Sequence, residues 1–457
     1  MRPHPRSQHK PPAHGPSTSP QHKVSAQALS TRAQLKVRQE APRGLKHQSK
    51  TDRFEVAGGA LVPSFPVSRF VWSGAEAVFP ARLTQSAHAH PSTPGPPLPP
   101  TSSPASLAAP ANLSSIAAAA DLRIRTLLDA ELIRWTAVDP DLAAPLSSLR
   151  GLVLAGGKRL RPAFCHWSFV GAGGDPNDTR VVDAGAGLEM LHTFALVHDD
   201  IMDNSRTRRG MDAVHIQFVD EHRRQGWQSE ARRFGEGVAI LVGDMAFVYA
   251  DQLLEGANPE AIRIFTELRV EVNIGQYLDL LGTVRGRPTL ETARRICQYK
   301  SGKYTIERPL HLGVALMGGD ALTQFKGALS DYGMPLGEAF QLKDDLLGTL
   351  GDDAATGKPV GDDLREGKPT ALVARAIAAA SPAQLKVLDG IGNPNLPDDQ
   401  IVAIQQILID TGAAGEVTAS IDVLRDKALA AIATSGLLPE AIAALSELAY
   451  YVTDRDH

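Results

Sequence analysis

The amino-acid sequence predicts an all-α protein, built as one large single-domain helical bundle. From residue 112 onward, apolar residues recur at the helical period over long segments. Clusters of glycine, proline and asparagine separate these segments at 171–176, 257–259, 285–288 and 393–397. Alternating runs rich in Val, Ile and Thr, which are typical of strands, are absent from this part of the sequence. We therefore expect helices throughout and no extended sheet.

The helices are predicted in a simple order along the chain. The first covers 116–135, where five apolar residues follow the helical period: Leu122, Leu127, Leu128, Leu132 and Ile133. Eleven more are predicted at 161–171, 179–202, 236–255, 259–282, 290–317, 321–349, 369–380, 384–390, 398–411, 413–433 and 438–453. The charged stretch 220–237 is interpreted as a surface connection.

Residues 1–111 differ in composition from the rest of the chain. They contain 18 of the 32 prolines, 7 of the 14 histidines, and 13 Lys and Arg against 4 Asp and Glu. Because the whole chain has a net charge of −4, the remainder carries about −13. The apolar residues of this segment are too few to offset the entropy lost on ordering. We expect 1–111 to be disordered and 112–457 to form the domain.

Three interpretations of the first 111 residues remain open. A transit peptide would share the low acid content, but not the density of proline and histidine. A basic tail that binds membranes or nucleic acid would have clustered charges, whereas these are spread out. The interpretation we favour is a start codon assigned too far upstream. No nucleic-acid partner is expected.

The sequence also bears on location. No apolar run of 18 or more residues occurs after residue 112, so no membrane span is expected. Cys165 and Cys297 are the only cysteines, which supports neither a disulfide framework nor a thiolate metal site. Both are interpreted as buried, small apolar side chains. We expect a cytoplasmic location.

Two aspartate-rich stretches, 198–210 and 341–348, indicate a binding site for cations. The first contains Asp199, Asp200 and Asp203 at the end of a predicted helix, where carboxylates oppose the helix dipole. The second contains Asp344 and Asp345 among apolar residues, and a buried carboxylate is costly without a compensating cation. Taken alone, the first stretch could be a solvated helix end and the second a solvated turn. Together they favour metal ions held between them.

Two basic stretches indicate a binding site for anions. Gly156–Pro162 places Lys158, Arg159 and Arg161 where glycines lead into a helix, which leaves free backbone N–H groups. Arg206, Arg208 and Arg209 follow the first acidic stretch. Guanidinium groups bind phosphate oxygens in a forked geometry, so metal and anion sites together fit a metal-bound diphosphate. A basic helix cap is the ordinary alternative for the first stretch.

These motifs, in this order, resemble those of the trans-isoprenyl diphosphate synthases (polyprenyl synthetases). The resemblance covers about 115 to 455 and is carried by Gly-Gly-Lys-Arg-Leu-Arg-Pro, Asp-Asp-Ile-Met-Asp with Arg-Arg-Gly, Phe-Gln-Leu-Lys-Asp-Asp, and Gly-Lys-Pro-Val-Gly-Asp-Asp-Leu-Arg-Glu-Gly-Lys. It implies an isoprenoid-synthase-type bundle with a central apolar cavity, and a homodimer. It also implies condensation of isopentenyl diphosphate with allylic diphosphates (dimethylallyl, geranyl or farnesyl).

The resemblance implies roles for individual residues. It assigns Mg²⁺ binding, with three ions per site, to Asp199, Asp200, Asp203, Asp344 and Asp345. It assigns isopentenyl diphosphate binding to Lys158, Arg161, His192 and Arg209. The allylic diphosphate is assigned to Arg208, Lys300, Gln341 and Lys358. Of these residues, the catalytic ones are Asp199, Asp200, Lys300 and Lys358. Taken alone, His192 would be interpreted as a core histidine, but it lies two turns before Asp199 near the same helix face.

The chain departs from the family pattern at Gly348, where many members have a third aspartate. Asp352, Asp353, Asp362 and Asp363 are candidates to lie nearby, and we assign no role to Lys303 or Lys343. Phe194 lies five residues before Asp199, about 7.5 Å along the helix axis, and Ala195 lies one turn before it. In the family, an aromatic at this position is typical of C20 and sometimes C15 products. We therefore expect geranylgeranyl diphosphate, with core packing as the alternative role of Phe194.

Two other functions stay open. A non-catalytic regulatory subunit of a heteromeric prenyl synthase would usually lack the acidic motifs. A class I terpene cyclase would share the first acidic motif and the bundle, but it binds no isopentenyl diphosphate. It would not need the basic stretch at 156–162 or the pair Arg208 and Arg209.

Overall fold

The described residues of the computed structural model, 111–351 and 361–454, form a bundle of α-helices. Its first half contains α1 (Ala111–Thr136), α2 (Ala143–Leu154), α3 (Leu160–Gly171), α4 (Thr179–Met202), α5 (Val214–Gln225), α6 (Ala231–Leu253) and α7 (Pro259–Arg285). Its second half contains α8 (Leu290–Ile296), α9 (Arg308–Met317), α10 (Ala321–Leu350), α11 (Asp362–Glu366), α12 (Ala371–Ala379), α13 (Pro382–Leu388), α14 (Asp398–Asp410), α15 (Ala413–Ala433) and α16 (Pro439–Thr453).

Three short elements interrupt the α-helices. A 3₁₀ turn covers Pro140–Leu142, and a π-helical segment, Cys297–Glu307, joins α8 to α9. A hairpin pairs β1 (Thr207–Arg208) with β2 (Met211–Asp212) just after α4. Within the described residues this is the whole sheet content, so the all-α prediction is confirmed. The predictions for 1–110, 352–360 and 455–457 lie outside the described residues.

Parts of the predicted helix map are wrong. The stretch 220–237 is not a surface connection, because it lies mostly in α5 and α6. In α5 the buried residues follow one helix face (Val214, His215, Phe218, Val219 and His222), and charged residues between them mask the period. Helix α2 was not predicted. The predicted helix 290–317 is divided into α8, the π-helical segment and α9.

Helix α4 lies at the centre of the larger of two hydrophobic cores. Its residues between Val181 and Val197 are buried on almost every side, and α3 and α6 pack against it. The smaller core is formed by α8 and α11 to α15. Helix α10 belongs to both cores, with Leu336 in the larger and Leu342 in the smaller. The two acidic stretches therefore lie at the C-terminal ends of two long, well-anchored helices.

The π-helical segment is wedged between α7 and α10 by close approaches at glycine. A methyl group on Gly275 of α7 would overlap the backbone of Lys300, and one on Gly337 of α10 would overlap the backbone of Gly302. Only residues without a side chain allow backbones to lie this close. These two contacts determine the position of the segment that carries Lys300.

No helix in the described parts of the chain combines the length and the apolar character needed to cross a bilayer.

We predict that Gly337→Ala destabilises the protein by about 1–3 kcal/mol, because the added methyl group overpacks the contact with Gly302. Gly327→Ala is the matched control on the same helix, since open space surrounds that glycine. Replacing an exposed glycine inside a helix by alanine is expected to stabilise by about 0.5–1 kcal/mol. Urea unfolding of both variants measures the difference, and equal free energies of unfolding would contradict the wedge.

Candidate active site

One cavity of about 500 Å³ collects residues from α3, α4, α7, the π-helical segment and α10. Most of the residues predicted for the site line it: Lys158, Arg161, His192, Ala195, Asp199, Arg208, Arg209, Lys300, Gln341, Asp344 and Asp345. Asp200, Asp203 and Phe194 are not among the lining residues. Lys358 lies outside the described residues.

The first acidic stretch is surrounded by nitrogen donors. Asp199 accepts a hydrogen bond from Gln276 Nε2 at 2.9 Å and lies 3.3 Å from Lys300 Nζ. Asp200 is 1 % exposed and accepts from Arg208 Nε at 2.8 Å. A buried carboxylate bound to a guanidinium fixes the direction of that guanidinium. Asp200 therefore orients Arg208 towards the cavity.

Asp203 follows α4 directly and has a less complete set of partners. Among the described residues, no donor hydrogen-bonds its buried carboxylate oxygen Oδ2, and Lys368 Nζ lies 3.8 Å from that oxygen. Burial, reinforced by the charge of Asp199, raises the pKa of Asp203 to about 6. The negative charge of the Asp203 carboxylate is therefore only partly balanced by nearby positive groups.

The second acidic stretch is more deeply buried. Asp345 is 8 % exposed and accepts from Gln341 Nε2 at 2.7 Å. Burial raises the pKa of Asp345 to about 8. Beside it, the carboxylate of Asp363 occupies the space that a side chain at Gly348 would fill. Asp363 of α11 thus places a carboxylate beside Gly348, the position at which many family members have a third aspartate. Asp352 and Asp353 lie outside the described residues.

The sequence analysis assigned no role to several cavity residues, among them Gln276, Asp279 and Lys368. Asp279 Oδ2 lies 2.5 Å from Lys300 Nζ, and Lys368 Nζ lies 2.8 Å from Asp363. Burial alone would lower the pKa of Lys300, but Asp199 and Asp279 outweigh it and raise that pKa above its usual value. Gln276 and Asp279 could have been found as polar residues one turn apart on the buried side of a helix.

Lys303, which had no assigned role, lies in a separate buried network. Its Nζ is 2.8 Å from Glu271, which also pairs with Arg308. This network ties α7, the π-helical segment and α9 together, and Lys303 is not among the cavity-lining residues. It serves the structure of the segment rather than the cavity.

Another part of the cavity wall, here called the cationic side, carries several basic residues. Arg159 precedes α3 in a left-handed conformation, with φ of 47°, and its buried guanidinium pairs with Glu189 at 2.6 Å. This turn places Lys158 and Arg161 on the cavity wall. Arg209 Nη1 donates to the Leu152 carbonyl at the end of α2, at 2.9 Å.

The cationic surroundings change the titration of nearby groups. Burial, together with the neighbouring arginines, lowers the pKa of Arg209 to about 10. The same causes hold the pKa of His192 well below its usual range, so the imidazole is neutral at physiological pH. Such clustered positive charge favours a polyanionic ligand.

The carboxylates fit a hard divalent cation only after some rearrangement. Within the described residues, no three His, Cys, Asp or Glu side chains converge as a ready-made metal site. Arg208, Lys300 and Lys368 lie among the carboxylates instead. The unbonded oxygen of Asp203 and the raised pKa of Asp345 nevertheless indicate a need for more positive charge. Oxygen ligands of this kind suit Mg²⁺.

The family model described as polyprenyl synthetase matches residues 145–408. The chain belongs to the polyprenyl synthetase family. It is therefore an enzyme of the trans-prenyl diphosphate synthase type, as the motif resemblance predicted. The isoprenoid-synthase-type helical fold is confirmed as well.

Relatives and solved structures agree with this membership. The chain is 30% identical to geranylfarnesyl diphosphate synthase of Aeropyrum pernix, over 63% of this chain and 86% of that protein. It is 33% identical to geranylgeranyl diphosphate synthase of Saccharolobus solfataricus, over 56% and 74%. A crystal structure of geranylgeranyl pyrophosphate synthase from Corynebacterium glutamicum, complexed with isoprenyl diphosphate and magnesium, has a TM-score of 0.71 and 36% identity. That match covers 75% of this chain and 99% of that chain.

We predict a pH-dependent effect of Asp345→Asn on the stability of the metal-free protein. Because the folded pKa of Asp345, about 8, lies above its unfolded value, the stability it contributes is lost as pH rises towards 8. Asparagine does not titrate, so the melting temperature of the variant relative to wild type should rise between pH 5.5 and 8.5. We expect a change of roughly 3 °C or more.

The control for this experiment is Asp331→Asn, an exposed aspartate on the same helix. Thermal unfolding in EDTA at the two pH values measures both variants. A difference from wild type that is the same at both pH values would show that Asp345 is already ionised in the folded protein, against the prediction.

Proposed function

We propose that this enzyme condenses isopentenyl diphosphate head-to-tail with allylic diphosphates (dimethylallyl, geranyl and farnesyl) in the presence of Mg²⁺. The observation that carries the proposal is the convergence of two acidic helix ends and one cationic turn on a single cavity. A carboxylate-rich side and an arginine-rich side match the two diphosphates that the reaction must hold. The proposed product contains 15 to 20 carbons, with geranylgeranyl diphosphate as the main one.

The acidic side would hold the allylic substrate. Mg²⁺ would be bound by Asp199, Asp200, Asp203, Asp344 and Asp345, and when bound it stabilises negative charge on the departing diphosphate. Arg208, Lys300, Gln341 and Lys358 would hold the diphosphate oxygens, and Lys368 joins them because it lines the same wall. Lys300 lies beside Asp199 and is positively charged, which suits it to stabilise the negative charge on the leaving diphosphate. A count of three ions stays a prediction.

The cationic side would hold isopentenyl diphosphate through Lys158, Arg161, His192 and Arg209. Heterolysis of the allylic C–O bond leaves both electrons on the diphosphate and a carbocation in the cavity. The isopentenyl double bond attacks this cation, and loss of a proton to the released diphosphate restores an allylic diphosphate five carbons longer. Apolar wall residues exclude the water that would quench the cation: Leu160, Leu196, Val272, Ile296 and Phe340.

The decisive assay incubates the purified chain with Mg²⁺, labelled isopentenyl diphosphate and each allylic starter. A prenyl synthase extends the starter, a regulatory subunit alone does nothing, and a terpene cyclase releases diphosphate without using isopentenyl diphosphate. Asp199→Asn should lower kcat at least about a hundredfold, because it removes a carboxylate proposed to bind the Mg²⁺ that stabilises the departing diphosphate. The exposed Asp212→Asn on β2 is the control with unchanged activity. Absence of chain extension under all conditions would overturn the proposed function.

The product length is proposed to depend on the side chains next to Asp199 on α4. Ala195 lines the cavity and leaves space one turn below the acidic stretch. Phe194 packs edge-on against Phe247 of α6, with ring centroids 4.9 Å apart, and against His198 at 4.7 Å. Its ring would close the space between α4 and α6 into which a longer chain would grow. This arrangement supports a short product.

We predict that Phe194→Ala lengthens the products, because it opens the α4–α6 junction. Phe234→Ala is the matched control, since this half-buried ring also packs against aromatic neighbours, but these are Phe218 and His222 of α5 rather than a ring at the α4–α6 junction. Mass spectrometry of the extracted products reads the chain length. If the product distribution of Phe194→Ala equals that of wild type, Phe194 serves only core packing.

We also propose a homodimer in a reducing cytoplasm. Helices α6 and α7 expose large apolar side chains that a second copy would cover: Ile240, Leu241, Val248, Val270, Ile274 and Tyr277.

The two cysteines, Cys165 and Cys297, are buried and unpaired, which supports a reducing compartment. Light scattering and cell fractionation test these two points, and a monomeric mass or a secreted protein would contradict them.

A further inference from the structure

Tyr304 lies between two residues of the cationic side and had no role in the sequence analysis. It is carried by the π-helical segment, is 4 % exposed and lines the cavity. Its hydroxyl oxygen lies 3.2 Å from Nδ1 of His192, and the two ring centroids are 6.1 Å apart. The phenol is thus within hydrogen-bonding distance of the histidine on α4.

Arg161 holds the ring of Tyr304 from another side. The guanidinium carbon is 4.3 Å from the Tyr304 ring centroid, a cation–π contact, and Nη2 donates to the Thr305 hydroxyl at 3.0 Å. Burial raises the pKa of the Tyr304 hydroxyl to about 12. The phenol therefore keeps its proton, and its position is set by Arg161 independently of His192.

The protonation of His192 limits what it can offer a ligand. Burial and the charges of Arg161, Arg209, Arg208 and Arg159 keep the pKa of this imidazole low, so it carries a single N–H. A diphosphate oxygen at neutral pH accepts hydrogen bonds and donates none. If Nδ1 carried the proton, the other ring nitrogen would present a lone pair to the anion, which is repulsive.

We propose that Tyr304 is a positioning residue whose hydroxyl donates a hydrogen bond to Nδ1 of His192, so that Nε2–H points at isopentenyl diphosphate. The inference rests on the proposed function, because it assumes that His192 binds this substrate. In this proposal Tyr304 acts through His192 and not on the reacting carbons. It selects the histidine tautomer, and the neutral imidazole then acts as a fixed donor among the arginines.

The first experiment is Tyr304→Phe, which removes the hydroxyl and keeps the ring under Arg161. The KM for isopentenyl diphosphate should rise about tenfold, the typical effect of one lost hydrogen bond in a buried site. The KM for the allylic substrate and kcat should change less than about twofold. Equal increases in both KM values, or no increase in either, would overturn the inference.

The second experiment is a double-mutant cycle with His192→Gln. The glutamine amide always carries a donor and needs no tautomer selection, so Tyr304→Phe should then alter the KM for isopentenyl diphosphate less than about twofold. An effect as large in the His192→Gln background as in wild type would mean that Tyr304 acts without His192. Tyr332→Phe is the control, since it removes another buried hydroxyl bond, to the Leu445 carbonyl at 2.7 Å, away from the cavity.

The third experiment reads the tautomer without substrate. Long-range ¹H–¹⁵N spectra of histidine-labelled protein, assigned by difference from His192→Gln, should show Nε2 protonated in wild type. In Tyr304→Phe the signal should shift towards the Nδ1-protonated form. Nδ1 protonated in wild type would overturn the inference even if the enzyme is fully active. Failure of the proposed function is distinct, because it would appear as absent chain extension in the wild-type protein.

Discussion

The structure depends on the neutralisation of carboxylates that are buried at the ends of two long helices. Asp199, Asp200 and Asp203 end α4, and Asp344 and Asp345 lie near the end of α10, where the helix dipole adds further negative charge. In the free protein Arg208 pairs with Asp200, Lys300 pairs with Asp199, and Lys368 lies 3.8 Å from Asp203. Buried charges without such partners would destabilise the bundle by several kcal/mol each, on the order of 3–5 kcal/mol.

The same side chains that balance the carboxylates are those proposed to hold the diphosphate. In this proposal an incoming diphosphate would compete for Lys300 and Arg208, and the carboxylates it releases would become ligands for divalent ions. Ion pairs that stabilise the free enzyme would thus be replaced by contacts with substrate and metal. The helical frame must hold these groups in place during the exchange. The glycine contacts of the π-helical segment with α7 and α10, and the Glu271 network behind it, do so at Lys300.

Much of this arrangement could be predicted from the sequence, because the informative residues stand in short motifs on strongly periodic helices. The convergence of Lys158, His192, Asp199, Lys300 and Asp344 on one cavity follows from the motif resemblance. Features that arise only from packing could not be predicted. The π-helical register of Cys297–Glu307 does not change the spacing of apolar residues in the sequence. Helix α5 was not predicted because charged residues cover its exposed face.

Individual partners were equally inaccessible from sequence. Nothing in the motif indicates that Asp200 would be buried against Arg208, or that Asp363 would stand beside Gly348. In the sequence, Tyr304 is an ordinary aromatic residue of a predicted helix. Its contact with His192 joins positions that are 112 residues apart. These contacts depend on how α4, α10 and the π-helical segment meet, which is a property of the whole bundle.

The most direct test of the central claim is calorimetric titration of the protein with Mg²⁺, with and without saturating inorganic diphosphate. Because lysine and arginine occupy the carboxylates in the free protein, Mg²⁺ alone should bind weakly. Diphosphate should tighten Mg²⁺ binding at least about tenfold, after correction for the Mg²⁺–diphosphate complex in solution. Asp199→Asn should abolish this coupling. Equal Mg²⁺ affinity with and without diphosphate would contradict the exchange of counter-charges described here.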